Sequence, residues 1–321
     1  MRTLSGIQPS GKLHIGNYFG MMRPMIERMD KSELYAFVVN LHALTTVQDR
    51  ERLSRDTFEA AADFLALGLN PERCIFWVQS DVPEVTELAW VLSTLTPMGL
   101  LERCHSYKDK TAKGIIPSHG LFAYPVLMAA DILIFQANQV PVGKDQKQHV
   151  EVARDIAQKF NNTFGETFII PEPVIDEKLA TVPGLDGQKM SKSYDNTIAI
   201  FTDRNVLKKR VMAIVTDATP VEDPKDPANC NLFGLFKLFA PSDRLQEVHD
   251  LYVNGGAMYG KIKLELVDLI WDFFGEARET RERLENDRGY VREVLARGGE
   301  KAREQAAVTL DLVRDKVGLR Y

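Results

Sequence analysis

Residues 5–17 read Ser-Gly-Ile-Gln-Pro-Ser-Gly-Lys-Leu-His-Ile-Gly-Asn, and this stretch decides the fold because it joins a strand, a turn and a helix start. Apolar residues up to Ile7 predict a short strand, the turn at Pro9-Ser10-Gly11 ends it, and helical spacing begins at His14. The first backbone N–H groups of a helix have no intrahelical acceptor, and the helix dipole adds partial positive charge there. The pattern therefore predicts a phosphate site at this helix start.

Three residues of the helix start are suited to a phosphate. Gly16 has no side chain that would keep a ligand away from the first turn. His14 and Asn17 lie three residues apart, on one face of the helix, and both offer polar donors. An ordinary strand–turn–helix would explain the same residues. A nucleotide-binding P-loop is excluded, because Leu13 stands where that motif needs Ser or Thr to hold Mg2+.

A second polar motif, residues 187–196, reads Gly-Gln-Lys-Met-Ser-Lys-Ser-Tyr-Asp-Asn. Gly184 and Gly187 predict a loop that can change shape. Lys189 and Lys192 carry flexible ammonium groups, which can stabilise charge that develops on a phosphoryl group and its leaving pyrophosphate. Alone, such a run is typical of a solvated loop; following the first motif in this order, it indicates nucleotide chemistry.

These motifs resemble a known family. Residues 14–17 are similar to the HIGH signature of class I aminoacyl-tRNA synthetases, with Asn in the fourth place, and residues 189–193 are identical to their KMSKS signature. Flanking stretches resemble the bacterial tryptophanyl-tRNA synthetases within that class: Gly-Ile-Gln-Pro-Ser-Gly at 6–11, Tyr-Pro-x-Leu-Met-Ala-Ala-Asp-Ile at 124–132 and Pro-Val-Gly-Lys-Asp-Gln-Lys-Gln-His at 141–149. The resemblance extends from residue 1 to about residue 215, and more loosely to the C-terminus. It implies a ligase that activates L-tryptophan with ATP, uses Mg2+ carried by the ATP, transfers tryptophan to tRNA(Trp), and forms a homodimer.

The resemblance also assigns residues to the nucleotide reaction. Catalytic roles fall to His14, Asn17, Lys189 and Lys192. Val182 would lie against the adenine, and the turn at Gly143 and Asp145 follows a predicted strand, where ribose hydroxyls would bind. The full expected ATP-binding set is Gln8, Pro9, Ser10, Gly16, Asn17, Gly143, Lys144, Asp145, Val182, Lys189, Met190, Ser191, Lys192 and Ser193. No metal bound by protein ligands alone is expected.

One acidic residue marks the expected amino-acid pocket. Residues 121–135 are apolar on nearly every side and predict a buried helix, which Asp131 interrupts. A buried carboxylate is costly unless it is paired, so a structural ion pair or a helix cap is one interpretation. The resemblance implies another, in which Asp131 accepts the indole N–H and Met128 packs on the ring. The other expected pocket residues are Tyr124, Gln146 and Gln8 at the amino group, and Leu4 and Val39 on the apolar wall.

Strand and helix patterns alternate along the first two thirds of the chain and predict a doubly wound parallel sheet whose ligands bind beyond the carboxyl ends of its strands. Further strands are predicted at 34–40, 74–78, 139–142 and 168–170, with helices at 84–94, 121–135 and around 150–160 between them. We expect a Rossmann-like catalytic domain over residues 1–195 and an all-helical anticodon-binding domain over 196–321. The last helix, 299–317, would pack back on the first domain or meet RNA.

Two local features interrupt this pattern. Pro24 should kink or end the helix that begins at His14. Residues 107–118 contain three lysines, a glycine and a proline, which favours an exposed mobile loop; a lid that lends Lys108 or Lys110 to a phosphate is the alternative.

Composition fits these expectations without identifying the function. The chain has 321 residues with 45% hydrophobic content, enough for one large and one small domain. Its three cysteines lack short paired spacing, which argues against disulfides and a zinc site and favours a cytoplasmic protein. No run is apolar enough to span a bilayer. The net charge is -5, and residues 201–321 carry 20 Lys+Arg against 21 Asp+Glu. RNA would therefore have to bind local basic patches.

Three related functions compete with this interpretation. A tyrosyl-tRNA ligase shares the fold and an acidic pocket residue, so pyrophosphate exchange with tryptophan and with tyrosine separates the two. An adenylyltransferase of the same superfamily would share the first motif but would not need residues 200–321 for RNA. A non-catalytic RNA-binding relative would have lost His14 or the lysines of the second motif, and this chain keeps both.

Overall fold

The computed structural model describes residues 1–9, 11–104, 107–108, 116–143, 146–175 and 182–321. The chain forms two compact units, the first made of residues 1–11, 25–177 and 287–321 and the second of residues 12–24 and 178–286. This division differs from the expected boundary between residues 195 and 196. Both signature motifs belong to the second unit, because the segment around His14 pairs with residues 198–200 instead of with the sheet.

The first unit contains a sheet of five parallel strands in the order β3-β2-β1-β4-β5. Leu34 to Val38 of the second strand are all buried, as expected for a strand with helices on both faces of its sheet. The predicted doubly wound parallel sheet is confirmed. The strands are β1 Arg2–Ile7, β2 Glu33–Val38, β3 Cys74–Val78, β4 Gln139–Pro141 and β5 Glu172–Val174.

The strand predicted at 168–170 is wrong, and the fifth strand begins at Glu172. The Asn161 side chain accepts the Phe168 N–H at 2.9 Å and donates to its carbonyl at 2.8 Å, so these groups are satisfied without a strand partner. The apolar signal came from the Phe168 side chain, which packs on Phe160 with 4.8 Å between ring centroids. The true strand was obscured by Pro173, which is tolerated because β5 lies at the sheet edge.

Helices alternate with the strands as predicted, although several helices begin or end at residues other than the predicted ones. Side chains of Asp49, Ser118 and Asp287 cap helix N-termini by accepting a backbone N–H of the first turn. The α-helices are α1 Ile15–Asn17, α2 Arg23–Ile26, α3 Asn40–Ala43, α4 Arg50–Ala66, α5 Glu84–Leu95, α6 Met98–Glu102, α7 His119–Ile134, α8 Lys147–Phe164, α9 Arg204–Met212, α10 Asn231–Phe236, α11 Ser242–Asn254, α12 Tyr259–Phe273, α13 Gly275–Asn286 and α14 Arg288–Val317. Shorter turns are the π-helical Tyr18–Met22 and the 3-10 turns Glu27–Asp30, Gln79–Asp81 and Lys192–Tyr194.

The final helix, α14, starts eleven residues before the predicted residue 299 and belongs to the unit that contains the sheet. Its backbone comes so close to β3 that a Cβ atom added to Gly298 would lie 1.8 Å from the Phe76 carbonyl oxygen. The guanidinium of Arg314 donates from Nε to Oε1 of Glu87 on α5 at 2.7 Å. Glycine at 298 is therefore what lets α14 lie directly against a strand.

Pro24 changes the helix type instead of ending the helix at Arg23. The Arg23 N–H bonds to the Tyr18 carbonyl, five residues back, so a π-helical turn precedes α2. In the second unit the rings of Tyr18 and Phe19 pack against Phe273, Phe274 and Phe239 at centroid distances of 5.1 to 6.0 Å. Across the described ranges, no helix has the length and apolar character needed to cross a membrane.

Candidate active site

The first signature motif folds into a reciprocal cap at the start of α1. His14 Nδ1 accepts the Asn17 N–H at 3.3 Å, and Asn17 Oδ1 accepts the His14 N–H at 3.1 Å. This arrangement uses Nδ1 of the imidazole and the oxygen of the amide. The remaining hydrogen-bonding atoms, His14 Nε2 and Asn17 Nδ2, are both donors.

The His14 imidazole is neutral at physiological pH. It is 6% exposed, and burial, followed by the positive charge of Lys192, lowers its pKa from 6.5 to about 4. Because Nδ1 accepts a hydrogen bond, the proton of the neutral ring resides on Nε2. His14 therefore offers an uncharged N–H donor, with a lysine ammonium in its vicinity.

The second signature motif contacts the first within the same unit. The Gly16 N–H donates to the sulfur of Met190 at 3.3 Å. The backbone after the second motif holds α1 as well, since the Ile15 N–H donates to the Ile198 carbonyl at 3.0 Å. A Cβ atom on residue 16 would lie 3.2 Å from the Met190 Cβ, a tight contact, so glycine lets the two motifs pack closely without a shift of either backbone.

Asn196 organises the lysine-bearing loop. Its side chain is 2% exposed and accepts the Ser191 N–H at 2.7 Å. Its amide nitrogen donates to the Asp186 carboxylate at 2.7 Å and to the Lys189 carbonyl at 3.1 Å. One buried asparagine thus fixes the backbone on both sides of Met190, a role that the sequence motif did not indicate.

The glycines of this loop are required for packing. A Cβ atom on Gly184 would lie 2.2 Å from the Asn196 amide nitrogen, and one on Gly187, where φ is +85°, would lie 2.5 Å from the Asn231 side-chain oxygen. The role predicted for both glycines is to let the loop change shape. Their positions show a steric reason, and the change of loop shape stays a prediction.

The remaining expected ATP contacts are distributed over both units. In the second unit, Val182 is buried, its carbonyl accepts the Met190 N–H at 2.9 Å, and the side chains of Lys189 and Lys192 are exposed. The Ser191 hydroxyl accepts the Ser193 N–H at 3.3 Å. In the first unit, Gln8 is exposed and Pro9 buried after β1, and Gly143 is exposed after β4. Ser10, Lys144, Asp145 and Lys110 lie outside the described residues; Lys108 is exposed.

The expected amino-acid pocket centres on Asp131, in α7 of the first unit. Its side chain is 3% exposed and accepts two hydrogen bonds from Gln79 Nε2, at 2.9 Å to Oδ1 and 2.8 Å to Oδ2. His42 Nε2 lies 2.8 Å from the same Oδ2. The carboxylate is therefore held by an amide and an imidazole.

The imidazole that contacts this carboxylate packs in turn against an aromatic ring. The Tyr124 ring packs edge-on against His42 at 6.1 Å, and its hydroxyl bonds to Nε2 of His149. Of the expected apolar wall, Leu4 is 2% exposed and part of the hydrophobic core, against which Val39 and Met128 also pack. Gln146 is exposed, and its backbone N–H donates to the Gly143 carbonyl at 2.9 Å.

Sequence reasoning missed Gln79 and His42. Gln79 follows β3 directly, and His42 lies in α3, just after β2. Polar residues at the carboxyl ends of parallel strands are candidates for ligand contacts, so their positions in the predicted strand pattern were the available signal. Within the described residues, no group of three or more His, Cys, Asp or Glu side chains is arranged to hold a metal ion.

A parallel sheet with a capped His-x-Gly-Asn helix start packed against a Lys-Met-Ser-Lys-Ser loop defines a class I aminoacyl-tRNA synthetase fold. The family model described as tRNA synthetases class I (W and Y) matches residues 1–275. The chain belongs to this family.

Relatives within the family are similar over nearly their whole length. The tryptophan–tRNA ligase of Campylobacter jejuni is 53% identical over 319 residues, covering 99% of this chain and 100% of that protein. That of Rhodopirellula baltica is 51% identical over 320 residues, covering 100% of both chains. A crystal structure of the Campylobacter jejuni tryptophanyl-tRNA synthetase, complexed with ADP and tryptophan, superposes with a TM-score of 0.95 at 52% identity and covers 99% of this chain and 100% of that one.

Proposed function

We propose that this protein activates L-tryptophan with ATP, forming tryptophanyl-adenylate and pyrophosphate, and then transfers tryptophan to tRNA(Trp). The observation that carries the proposal is the buried Asp131 carboxylate, held by Gln79 and by His42, against which the Tyr124 ring packs. A hydrogen-bond acceptor in an apolar pocket recognises an amino acid by a side-chain donor. The similarity to tryptophan–tRNA ligases at 51% to 53% identity supports indole as that donor.

In the first step, a carboxylate oxygen of tryptophan attacks the α-phosphorus of ATP, and the bond to the bridging oxygen of pyrophosphate breaks. No covalent enzyme intermediate and no protein base are needed, because the carboxylate is already ionised. Catalysis comes from positioning and from stabilisation of charge. Mg2+ reaches the site as part of the Mg·ATP substrate.

The two signature motifs divide the work on the phosphates. His14 and Asn17 donate neutral N–H groups to phosphate oxygens, which costs no protonation step because the pKa of His14 is about 4. Lys189 and Lys192 are exposed, so their ammonium groups can move with the charge that accumulates on the pyrophosphate. Val182, Met190, Ser191, Ser193 and Gly16 line the ATP site beside them.

The remaining assignments concern residues of the first unit. The family resemblance assigns Gln8, Pro9, Ser10, Gly143, Lys144 and Asp145 to ATP. Asp131 accepts the indole N–H, Met128 packs on the ring, and Tyr124, Gln146 and Gln8 reach the amino group. Leu4 and Val39 form the apolar wall, Leu4 as part of the hydrophobic core and Val39 packed against that core.

The helices between Arg204 and Asn286 would bind the anticodon region of tRNA(Trp). Exposed Lys208 and Lys209 on α9 offer a local basic patch there. A cytoplasmic location agrees with the free cysteines Cys74, Cys104 and Cys230.

Homodimer formation is part of the proposal. Trp90 on α5 is 73% exposed and Met98 on α6 is 63% exposed, which is unusual for large apolar side chains and typical of a subunit interface. Analytical ultracentrifugation should find a dimer for the wild type and a monomer after Trp90→Glu. A dimer in both would place the interface elsewhere.

Amino-acid-dependent ATP–pyrophosphate exchange tests the activity itself. Exchange should depend on tryptophan, with tyrosine and phenylalanine far weaker, and charging of tRNA(Trp) should follow in a second assay. Exchange with tyrosine instead would favour the tyrosyl-specific branch of the family. Exchange without any tRNA charging would favour an adenylyltransferase.

A further inference from the structure

Gln79 contacts both oxygens of Asp131 from the carboxyl end of β3. We infer that Gln79 is a positioning residue that sets the specificity of the pocket, because it fixes the plane of the Asp131 carboxylate so that one lone pair is left for the substrate. The inference rests on the proposed tryptophan specificity and deepens it. Gln79 itself is not expected to touch the substrate.

The orientation of the Gln79 amide is determined at both ends. Its Nε2 faces the Asp131 carboxylate at 2.8 and 2.9 Å. Its Oε1 accepts the backbone N–H groups of Leu41 at 3.0 Å and His42 at 3.3 Å. A flipped amide would set oxygen against carboxylate and nitrogen against two N–H donors, so only one orientation satisfies all partners.

The burial of this network gives it rigidity. Gln79 is 1% exposed and Asp131 is 2% exposed. The Gln79 side-chain oxygen, Oε1, holds the start of α3, which carries His42. Its side-chain nitrogen, Nε2, holds the carboxylate that His42 also contacts. One side chain therefore sets the relative position of both groups that hold Asp131.

Counting lone pairs shows what remains for a ligand. A carboxylate has about four hydrogen-bond acceptor positions. In the described part of the chain Oδ2 receives two contacts, from Gln79 and His42, whereas Oδ1 receives one, from Gln79. A single position on Oδ1 is left, which matches a side chain that brings one donor, such as the indole N–H.

The test compares two substrates that differ at one atom. In β-(3-benzothienyl)alanine a sulfur atom replaces the indole N–H, so the ratio of kcat/KM for tryptophan to that for the analogue measures the Asp131 contact. The variant is Gln79→Met, which keeps the length and the apolar stem and removes both amide functions. We expect that ratio to fall by about tenfold or more, with kcat/KM for the analogue changed much less.

Ser80→Ala is the matched control. Ser80 accepts a hydrogen bond from the Asn40 side chain at 2.9 Å and ties α3 to the same 3-10 turn, but it does not touch Asp131. It should leave the substrate ratio at the wild-type value. An equal loss of kcat/KM for both substrates in Gln79→Met would show a purely structural role and would overturn the inference.

Two further outcomes are distinguishable. If Gln79→Met is unfolded by circular dichroism, Gln79→Leu takes its place, because it also removes both amide functions and leaves no group that could donate to Asp131; a wild-type ratio in that variant overturns the inference. If the wild-type protein shows no tryptophan-dependent exchange, the proposed function fails, and the positioning role of Gln79 fails with it.

Discussion

Replacing Asn196 with alanine should impair adenylate formation far more than it impairs folding. The Asn196 side chain makes three hydrogen bonds, at 2.7 Å with the Ser191 N–H, 2.7 Å with Asp186 and 3.1 Å with the Lys189 carbonyl. At about 1 kcal/mol for each of the two bonds to backbone groups, their loss removes about 2 kcal/mol of loop ordering. If adenylate formation requires the ordered loop, kcat/KM for ATP in pyrophosphate exchange should fall by about 30-fold.

Three measurements accompany this variant. Thermal melting should change little, because the loop is a local structure that can open without the cores of the two units. The pKa of Asp186, which the Asn196 amide lowers more than any other contact does, should rise in an NMR titration. Asn229→Ala is the control, since Asn229 is an exposed asparagine of the same unit with one side-chain bond, at 2.6 Å to Asp226. Exchange within threefold of wild type in a folded Asn196→Ala protein would refute the reasoning.

Three shorter predictions follow from single contacts. Lys192→Ala should lower the rate of adenylate formation by orders of magnitude while tryptophan affinity is nearly unchanged, because the contact strengthens only as charge develops; an unchanged single-turnover rate would contradict it. In the unfolded chain the pKa of His14 is 6.5, whereas in the folded protein burial lowers this pKa to about 4, so between these values only the unfolded chain binds the proton. The protein should therefore lose stability as pH falls through that window, and His14→Gln should flatten this part of a denaturant-derived stability curve. Gly298→Ala should destabilise the first unit by about 1–3 kcal/mol or more, because its Cβ would meet the Phe76 carbonyl, whereas Gly260→Ala, with open space around it, should not lower Tm.

The sheet could be predicted from sequence because its central strands are local apolar runs. The prediction at 74–78 matches β3, and that at 34–40 matches β2 apart from its ends. The edge strand β5 could not be predicted, because Pro173 and the charged Glu172 mask its pattern. The apolar run before it is not a strand, since Phe168 packs into the core.

Contacts between residues that are far apart in the chain could not be predicted, for a different reason. Residues 12–24 were assigned to the sheet domain by position in the chain, yet they pair with residues 198–200, which no local pattern encodes. The partners of Asp131 come from 52 and 89 residues away. The motifs assign the proposed chemistry to particular side chains. They do not reveal Gln79, which holds Asp131, or Asn196, which holds the lysine-bearing loop.

Asp131→Asn separates the two interpretations of the buried carboxylate. An ion-pair role requires a cation that is left unpaired when the charge is removed. In the described part of the chain the contacts of Asp131 are the Gln79 amide and the His42 imidazole, and neither of these groups is an obligate cation. With asparagine at 131, Gln79 loses one bond, while the His42 ring can accept from the new amide by changing its tautomer.

The folded state should therefore tolerate Asp131→Asn, whereas substrate choice should not. We expect a melting temperature close to that of wild type, or higher, because a buried charge has been removed. The preference for tryptophan over phenylalanine should shrink through kcat/KM, since a neutral acceptor binds the indole N–H more weakly than a carboxylate does. Circular-dichroism melts and exchange kinetics on this one variant decide the question. A marked drop in Tm with an unchanged preference would show that Asp131 serves the fold, and that the acceptor for the indole lies elsewhere.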